Sequence, residues 1–497
     1  MTKLSATDAG FLYAETATTP MSIASVQLLS LPSEVTHSEF VATLQTFISK
    51  RLHLVPYLTS KLQWPGGWLD HPNWVRDANF DITQHIYAIP VAAPGGQRQL
   101  EQTVAQLHQE PLPRHRPLWD IVVLTGLADG RIAYYNRVHH ACLDGMAAQA
   151  STQLLMDSKP TGHTDPVPGK SALPATAGPQ RSTADHVLSL FESLCLQAVN
   201  SFAEAPARMA ASQRLWQRAM DPDAELGAFG QRAPATMLNC SIDKGRTYAM
   251  GELPLTTMRD LARSTKSTLN DVFVSLCGGA LRRYLQRHNQ LPEQSLLAAC
   301  PVSLRKPGDK STNNQVTMMK VSLDTLTDNP LIRLRNVGQS ARTAKQVLAD
   351  AVDLISADLT APGLGASMQG AAQLANLMPA AEWVSPSANV VISNVPGPRK
   401  VLYSNGARVL SHYPVSIPAQ GMAVNITVQS YAQQLFFGIT ACARAVPDAD
   451  RLRDDLLAEF SALEAALRAD VVDFATGAAT PVSSPTASNS NGFNEVA

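Results

Sequence analysis

The chain contains no CxxC pair, no apolar run long enough to span a bilayer and almost no net charge, and each absence removes a class of protein. Its six cysteines (Cys142, Cys195, Cys240, Cys277, Cys300 and Cys442) stand far apart, a spacing that suits neither a zinc site nor a disulfide scaffold. The 40 basic and 41 acidic residues leave a formal charge of −1, so there is no general basic field for nucleic acid. No apolar stretch reaches the ~18 residues of a spanning helix, and the opening MTKLSATDAGFLYAE lacks the apolar core of a signal peptide. These absences point to the cytosol, with at most a peripheral contact at a membrane surface. With 497 residues, 45% hydrophobic and 16% charged, the chain is globular and too long for one ordinary core, so two domains of roughly 200 residues are expected.

Strand and helix patterns alternate through residues 1–158, the first domain. MSIASVQLL reads as a strand and HSEFVATLQTFISKRL as an amphipathic helix. WDIVVLTGL and RIAYYNRVHH flank Ala128-Asp129-Gly130, a turn sequence that predicts a β-hairpin ending on His139 and His140. GMAAQASTQLLM then has helical spacing. Residues 159–230 begin rich in Pro, Gly, Ser and Thr, as an exposed linker, and continue as a connecting helix with Pro206 as a break. A second alternating pattern fills 231–474, the second domain. It includes the helix TLNDVFVSLCGGALRRYLQRH and the strands SLLAACPVSLR, NVVISNVPG, AVNITVQSYA and QLFFGITACA. The low-complexity tail, 475–497, is expected to be disordered.

The histidine pair in YNRVHHACLDGMAAQ admits three readings. One imidazole could pack in the core while Asp144 caps the following helix. His139, His140 and Asp144 are also metal-ligand types, but adjacent strand residues point to opposite faces, which disfavours one shared ion. A neutral imidazole held at a strand end can also act as general base, taking a proton from an alcohol as its oxygen attacks a carbonyl.

His139-His140-x-x-x-Asp144-Gly145 matches the HHxxxDG motif of the CoA-dependent acyltransferase superfamily. The chain resembles the bacterial wax ester synthase/diacylglycerol acyltransferase family nearly end to end. The resemblance is carried in order by LSATDAGFLYAETATTPMS, RPLWD (Pro117 to Trp119), Asn270-Asp271 in STLNDVFVSLCGGALRRYL, PVSLR (Pro301 to Arg305), SNVPGP (Ser393 to Pro398) and NITVQSYAQQLFFGI. Where that family often has His after the opening Met, Ser22 follows Met21 here.

The resemblance implies an α/β fold of the α+β type. Two chloramphenicol-acetyltransferase-like domains, with mixed sheets flanked by helices, enclose a tunnel at their interface. It implies an O-acyltransferase that moves a fatty acyl group from acyl-CoA directly to a long-chain alcohol or diacylglycerol, with His140 as base and His139 as support. Asp144 would form an inter-domain ion pair with Arg305, and Asn270 would be an oxyanion donor or a helix cap. Pro117, Trp119, Asp271 and Asn394 are further candidates for substrate contact. The chemistry needs no cofactor and no metal. Insoluble products imply work at a membrane or lipid-inclusion surface, for which the segment Val187 to Met220 is a candidate, with packing as an inter-domain helix as its alternative. Two rival functions share the motif: a condensation-type enzyme using carrier-bound thioesters or other alcohols, and a non-catalytic lipid-binding or droplet protein.

Overall fold

The computed structural model describes residues 2–32, 35–64, 71–143, 145–161, 205–221, 227–304, 316–355 and 386–476. The first part of the chain forms β1 (Thr2–Lys3), α1 (Ala6–Ala14), β2 (Ser22–Ser30), α2 (His37–Ser49), β3 (Ser60–Gln63), β4 (Asn73–Arg76), β5 (Ile86–Pro90), α3 (Gln97–His108), β6 (Trp119–Thr125), β7 (Ile132–His139) and α4 (Gly145–Leu155). A helix over 205–220, α5, follows. Next come β8 (Arg246–Pro254), α6 (Leu255–Ser264), α7 (Leu269–Arg287), β9 (Leu297–Ser303), β10 (Val316–Ser322) and α8 (Pro330–Ile355). The last part holds β11 (Val390–Val395), β12 (Tyr403–Ser404), β13 (Ala407–Val409), β14 (Tyr413–Val415), β15 (Val424–Tyr431), β16 (Gln434–Cys442) and α9 (Ala449–Thr476).

Two mixed sheets dominate, with strand orders β12-β13-β2-β7-β6-β5 and β10-β9-β11-β15-β16-β8; β1, β4 and β3 make a small third sheet. This is the mixed, helix-flanked, two-domain α/β fold expected. The β6–β7 hairpin pairs Trp119 with Val138 and Leu124 with Ala133 around its Asp129-Gly130 turn. Alternation along the strands of the second sheet divides their side chains between two cores. Ala249 of β8 and Phe437 of β16 pack with α6, α7 and α9. Tyr248, Met250 and Phe436 pack into the core of the first sheet. The two sheets therefore share buried surface rather than merely touching at a rim.

The boundary drawn at residue 231 does not separate the sheets. β13 and β14 lie in the second half of the chain but pair with β2, Val409 opposite Leu29 and Val415 opposite Ala24. A free β2 edge would expose a row of unpaired backbone groups, and the crossing segment covers it. The crossing runs so close to the second sheet that a Cβ at Gly438 would lie 1.9 Å from the Pro414 carbonyl oxygen. Gly397, in the SNVPGP loop, is equally constrained: a Cβ there would lie 1.6 Å from the Ser430 carbonyl oxygen of β15. Its own N–H donates to Ser430 Oγ at 2.9 Å. Gly397→Ala is expected to cost about 1–3 kcal/mol by overpacking and to lower Tm in a thermal melt; an unchanged Tm would mean that the loop stands further from β15.

Candidate active site

The loop after β7 carries the histidine pair, and the N-terminal segment holds it in place. Ser5 caps α1 by accepting from the Asp8 N–H at 3.1 Å. This sets the helix so that Phe11 faces the loop and Glu15 follows its last turn. His139 is buried. The Ala141 N–H donates to its Nδ1 at 3.0 Å, so the ring proton sits on Nε2, which donates to Glu15 Oε2 at 2.7 Å. Glu15 also takes Arg114 Nη2 at 3.2 Å and the Met21 N–H at 3.2 Å. Burial works to raise the Glu15 carboxyl, but the hydrogen bond from His139, with Arg114 and the Met21 N–H, leaves it below its ordinary value.

His140 has a different environment. Its backbone N–H donates to the Met21 carbonyl at 2.7 Å. Its ring stacks on Phe11, centroids 4.0 Å apart and planes at 10°. It is half-buried and stands on the wall of a cavity of about 930 Å³, within the range of cavities that enclose small organic ligands. The wall is mostly apolar and drawn from both domains: Phe11, Met21, Trp119 and Gly145 on one side, Pro301, Met318, Val391 and Val395 on the other. Burial pushes the neighbouring Cys142 thiol up, which leaves it a poor nucleophile.

The remaining candidate residues separate clearly. Trp119 and Asn394 line the cavity. Trp119 Nε1–H is spent on the Leu58 carbonyl at 2.9 Å, and its ring stacks on His85, so it presents an apolar face. Asn394 Nδ2 reaches Asn270 Oδ1 at 3.4 Å. Asn270 itself stands off the cavity wall, and it does not cap α7. Thr268 does so, accepting from the Asp271 N–H at 3.1 Å while Asp271 Oδ2 accepts from the Thr268 N–H at 2.9 Å. Asp271 is therefore committed to that capping box rather than to a substrate. Pro117 is buried behind the wall, its carbonyl accepting from the Trp119 N–H. Asp144 and Arg305 lie outside the described residues, as does the part of Val187 to Met220 before residue 205.

Four contributors escaped the sequence. Glu15 and Phe11 sit inside the quoted N-terminal signature, but nothing local says that they meet residues 124 and 129 positions away. His412 lies in an apolar stretch with no motif and Gln429 inside the quoted NITVQSYAQQLFFGI without being singled out there, yet both face the cavity. Burial lowers the His412 imidazole to about 4, so it is neutral at physiological pH.

Two mixed sheets with interlocked cores, and a strand-end histidine on the wall of the cavity they share, define a two-domain acyltransferase of the CoA-dependent class. A family model for the wax ester synthase/diacylglycerol acyltransferase catalytic domain matches residues 4–273, and one for the WS/DGAT C-terminal domain matches residues 312–464. The chain belongs to this family and is an acyltransferase. A Mycobacterium tuberculosis protein assigned as a diacylglycerol O-acyltransferase is 34% identical over 93% of this chain and 100% of its own length. A similarly assigned protein of Mycobacterium bovis is 32% identical over 93% of this chain and 90% of its own. Among solved structures, the wax ester synthase/diacylglycerol acyltransferase of Marinobacter aquaeolei VT8 superposes with a TM-score of 0.65 at 28% identity, covering 94% of this chain and 100% of that one. A trichothecene 15-O-acetyltransferase from Fusarium sporotrichioides shares the fold alone, with a TM-score of 0.57 at 11% identity over 93% of this chain and 95% of that one.

Proposed function

We propose that the enzyme transfers a fatty acyl group from acyl-CoA to the hydroxyl of a long-chain alcohol or of diacylglycerol, with His140 as general base. The observation that carries this reading is the His140 ring, braced by Phe11, on the wall of a largely apolar cavity bounded by both domains. His140 removes the hydroxyl proton as the alcohol oxygen attacks the thioester carbonyl. The tetrahedral intermediate collapses by breaking the C–S bond, and the imidazolium returns the proton to the departing CoA sulfur, so no acyl-enzyme is needed. His139 has both ring nitrogens engaged and acts as the support of the loop. Asn394, whose amide is engaged by Asn270, is the donor we assign to the oxyanion, with Asn270 orienting it. The Asp144–Arg305 pair that the resemblance implies would tie the loop to the second domain.

Purified protein incubated with palmitoyl-CoA and either hexadecanol or dipalmitoylglycerol is expected to release thiol and form the matching ester, identified by mass spectrometry. Failure with both acceptors would remove the wax and triacylglycerol reading and turn attention to carrier-bound donors.

We also propose that α5 rests on a lipid surface. Among the described residues no helix is long and apolar enough to cross a membrane. On α5, however, Met209, Trp216 and Met220 are 73%, 65% and 59% exposed, and they fall on one helix face. The opposite side is tied to α8 through Arg218 Nε to Asp350 Oδ2 at 2.8 Å. Trp216→Ser is expected to lower partitioning onto phospholipid vesicles by about ten-fold in a co-sedimentation assay; equal sedimentation would refute this contact.

A further inference from the structure

The cavity that His140 faces is apolar along most of its wall, yet one section of it is built from buried polar side chains. Asn136 Nδ2 donates to Gln27 Oε1 at 3.1 Å. Gln27 Nε2 approaches both nitrogens of His412 at 3.4 Å, and Gln429 Nε2 approaches His412 Nδ1 at 3.5 Å. Gln429 Nε2 also donates to Gln149 Oε1 at 2.7 Å. These five residues form one arc that runs from β7 through β2, the crossing segment and β15 to α4, so both sheets contribute to it. Gln27 is fully buried, and His412, Gln429 and Gln149 are 4%, 6% and 8% exposed. Asn136, Gln149, His412 and Gln429 all line the cavity.

The arc is unfinished at both ends. Among the described residues, Asn136 Oδ1 and Gln149 Nε2 are buried with no hydrogen-bond partner. An acceptor and a donor left open in this way are costly in an apolar surround. The approaches to the His412 ring are long, so its nitrogens also keep capacity. A purely hydrocarbon ligand would bury these groups without satisfying them. A hydroxyl offers the complement to either open end, an oxygen that accepts from Gln149 and a hydrogen that is given to Asn136. The position along the chain follows from the strand. Asn136 lies in β7 and His140 just past its end, four positions on and on the same cavity wall, about 13 Å at ~3.3 Å per residue. An extended alkyl chain with bonds of ~1.5 Å covers that distance in about ten carbons.

Resting on the acyltransfer reading above, we infer that the enzyme selects a long-chain substrate carrying a hydroxyl about ten carbons from its reacting end. That hydroxyl binds in the arc of Asn136, Gln27, His412, Gln429 and Gln149. The chain in question is either the acyl group or the alcohol, and two pairs of substrates tell them apart. With hexadecanol as acceptor, 10-hydroxyoctadecanoyl-CoA is compared with octadecanoyl-CoA. With octadecanoyl-CoA as donor, octadecane-1,10-diol is compared with octadecan-1-ol, counting only esters at the primary hydroxyl.

In one of the two pairs the hydroxylated chain is expected to have at least ten-fold higher kcat/KM, because an analogue lacking the hydroxyl leaves buried polar groups unpaired. A 4-hydroxyoctadecanoyl or 16-hydroxyoctadecanoyl chain should not share the advantage. Gln149→Leu and Asn136→Leu, each scored as the ratio of hydroxylated to plain substrate, should bring that ratio to about one or below, and a ratio is insensitive to partial loss of folded protein. Ester formed from plain chains as well as from hydroxylated ones in both pairs would overturn this inference and leave the acyltransfer reading standing. Absence of ester from every chain would overturn both.

Discussion

His140→Ala is expected to lower the rate of ester formation by about 10²–10⁴-fold, the span typical of a lost general base, while the protein remains folded. Of the histidines at the cavity or beside it, His140 is the one whose surroundings suit the task. His139 is buried and committed at both nitrogens, to Glu15 and to the Ala141 N–H. His412 belongs to the polar arc, on the crossing segment rather than at the strand end that carries the motif. The His140 ring is fixed in plane by Phe11 at 4.0 Å and is not sealed from the cavity. Alanine removes the ring and its Phe11 stack but leaves the backbone N–H bonded to the Met21 carbonyl, which keeps the loop anchored. The loss should therefore fall on kcat, with KM for acyl-CoA little changed, as for a group that acts in the transition state rather than in binding. Thiol release under saturating substrate, with a thermal melt as the folding control, measures this. A folded variant with wild-type turnover would remove His140 from the mechanism.

Much of this arrangement was legible in the sequence because its signals are local. Asp129-Gly130 between two apolar runs announced the hairpin, and the hairpin delivered His139 and His140 to a strand end. The strands at Leu297–Ser303, Val390–Val395, Val424–Tyr431 and Gln434–Cys442 were visible as short apolar runs between turn residues. What stayed hidden depends on contacts between distant parts of the chain. The Asn405-Gly406 pair, with φ of 49° and 81°, is a legible two-residue hairpin turn. Strands of two and three residues, however, carry no periodicity that says which sheet they join, and their crossing to β2 had no sequence mark. Asn270 was a candidate cap for α7, and only the capping box between Thr268 and Asp271 decides against it. His412 illustrates the same limit: a lone histidine in LSHYPVS gives no hint that Gln27 and Gln429 will meet it.

Glu15→Ala should produce the second large effect, by a route that leaves the base itself intact. Removing this carboxylate takes the partner from the His139 Nε2–H, from Arg114 and from the Met21 N–H at once. Arg114 keeps the Leu12 carbonyl and is 30% exposed, but the His139 Nε2–H is left buried without its acceptor, at a cost of about 1–3 kcal/mol. Its pH signature is specific. The folded-state pKa of Glu15 lies below the ordinary 4.5, so ionised Glu15 stabilises the folded protein at pH values above 4.5. That contribution declines as pH falls through 4.5 towards the lower folded value. Glu15→Gln keeps the shape and an oxygen acceptor but cannot titrate. Stability measured by denaturant unfolding should then fall less steeply below pH 4.5 for Glu15→Gln than for wild type. Activity of Glu15→Gln at pH 7 should exceed that of Glu15→Ala, since the amide oxygen can still accept from His139. If instead the two variants match wild type in stability and turnover, Glu15 does not hold the histidine loop. His140 would then owe its position to β7, Phe11 and the Met21 carbonyl.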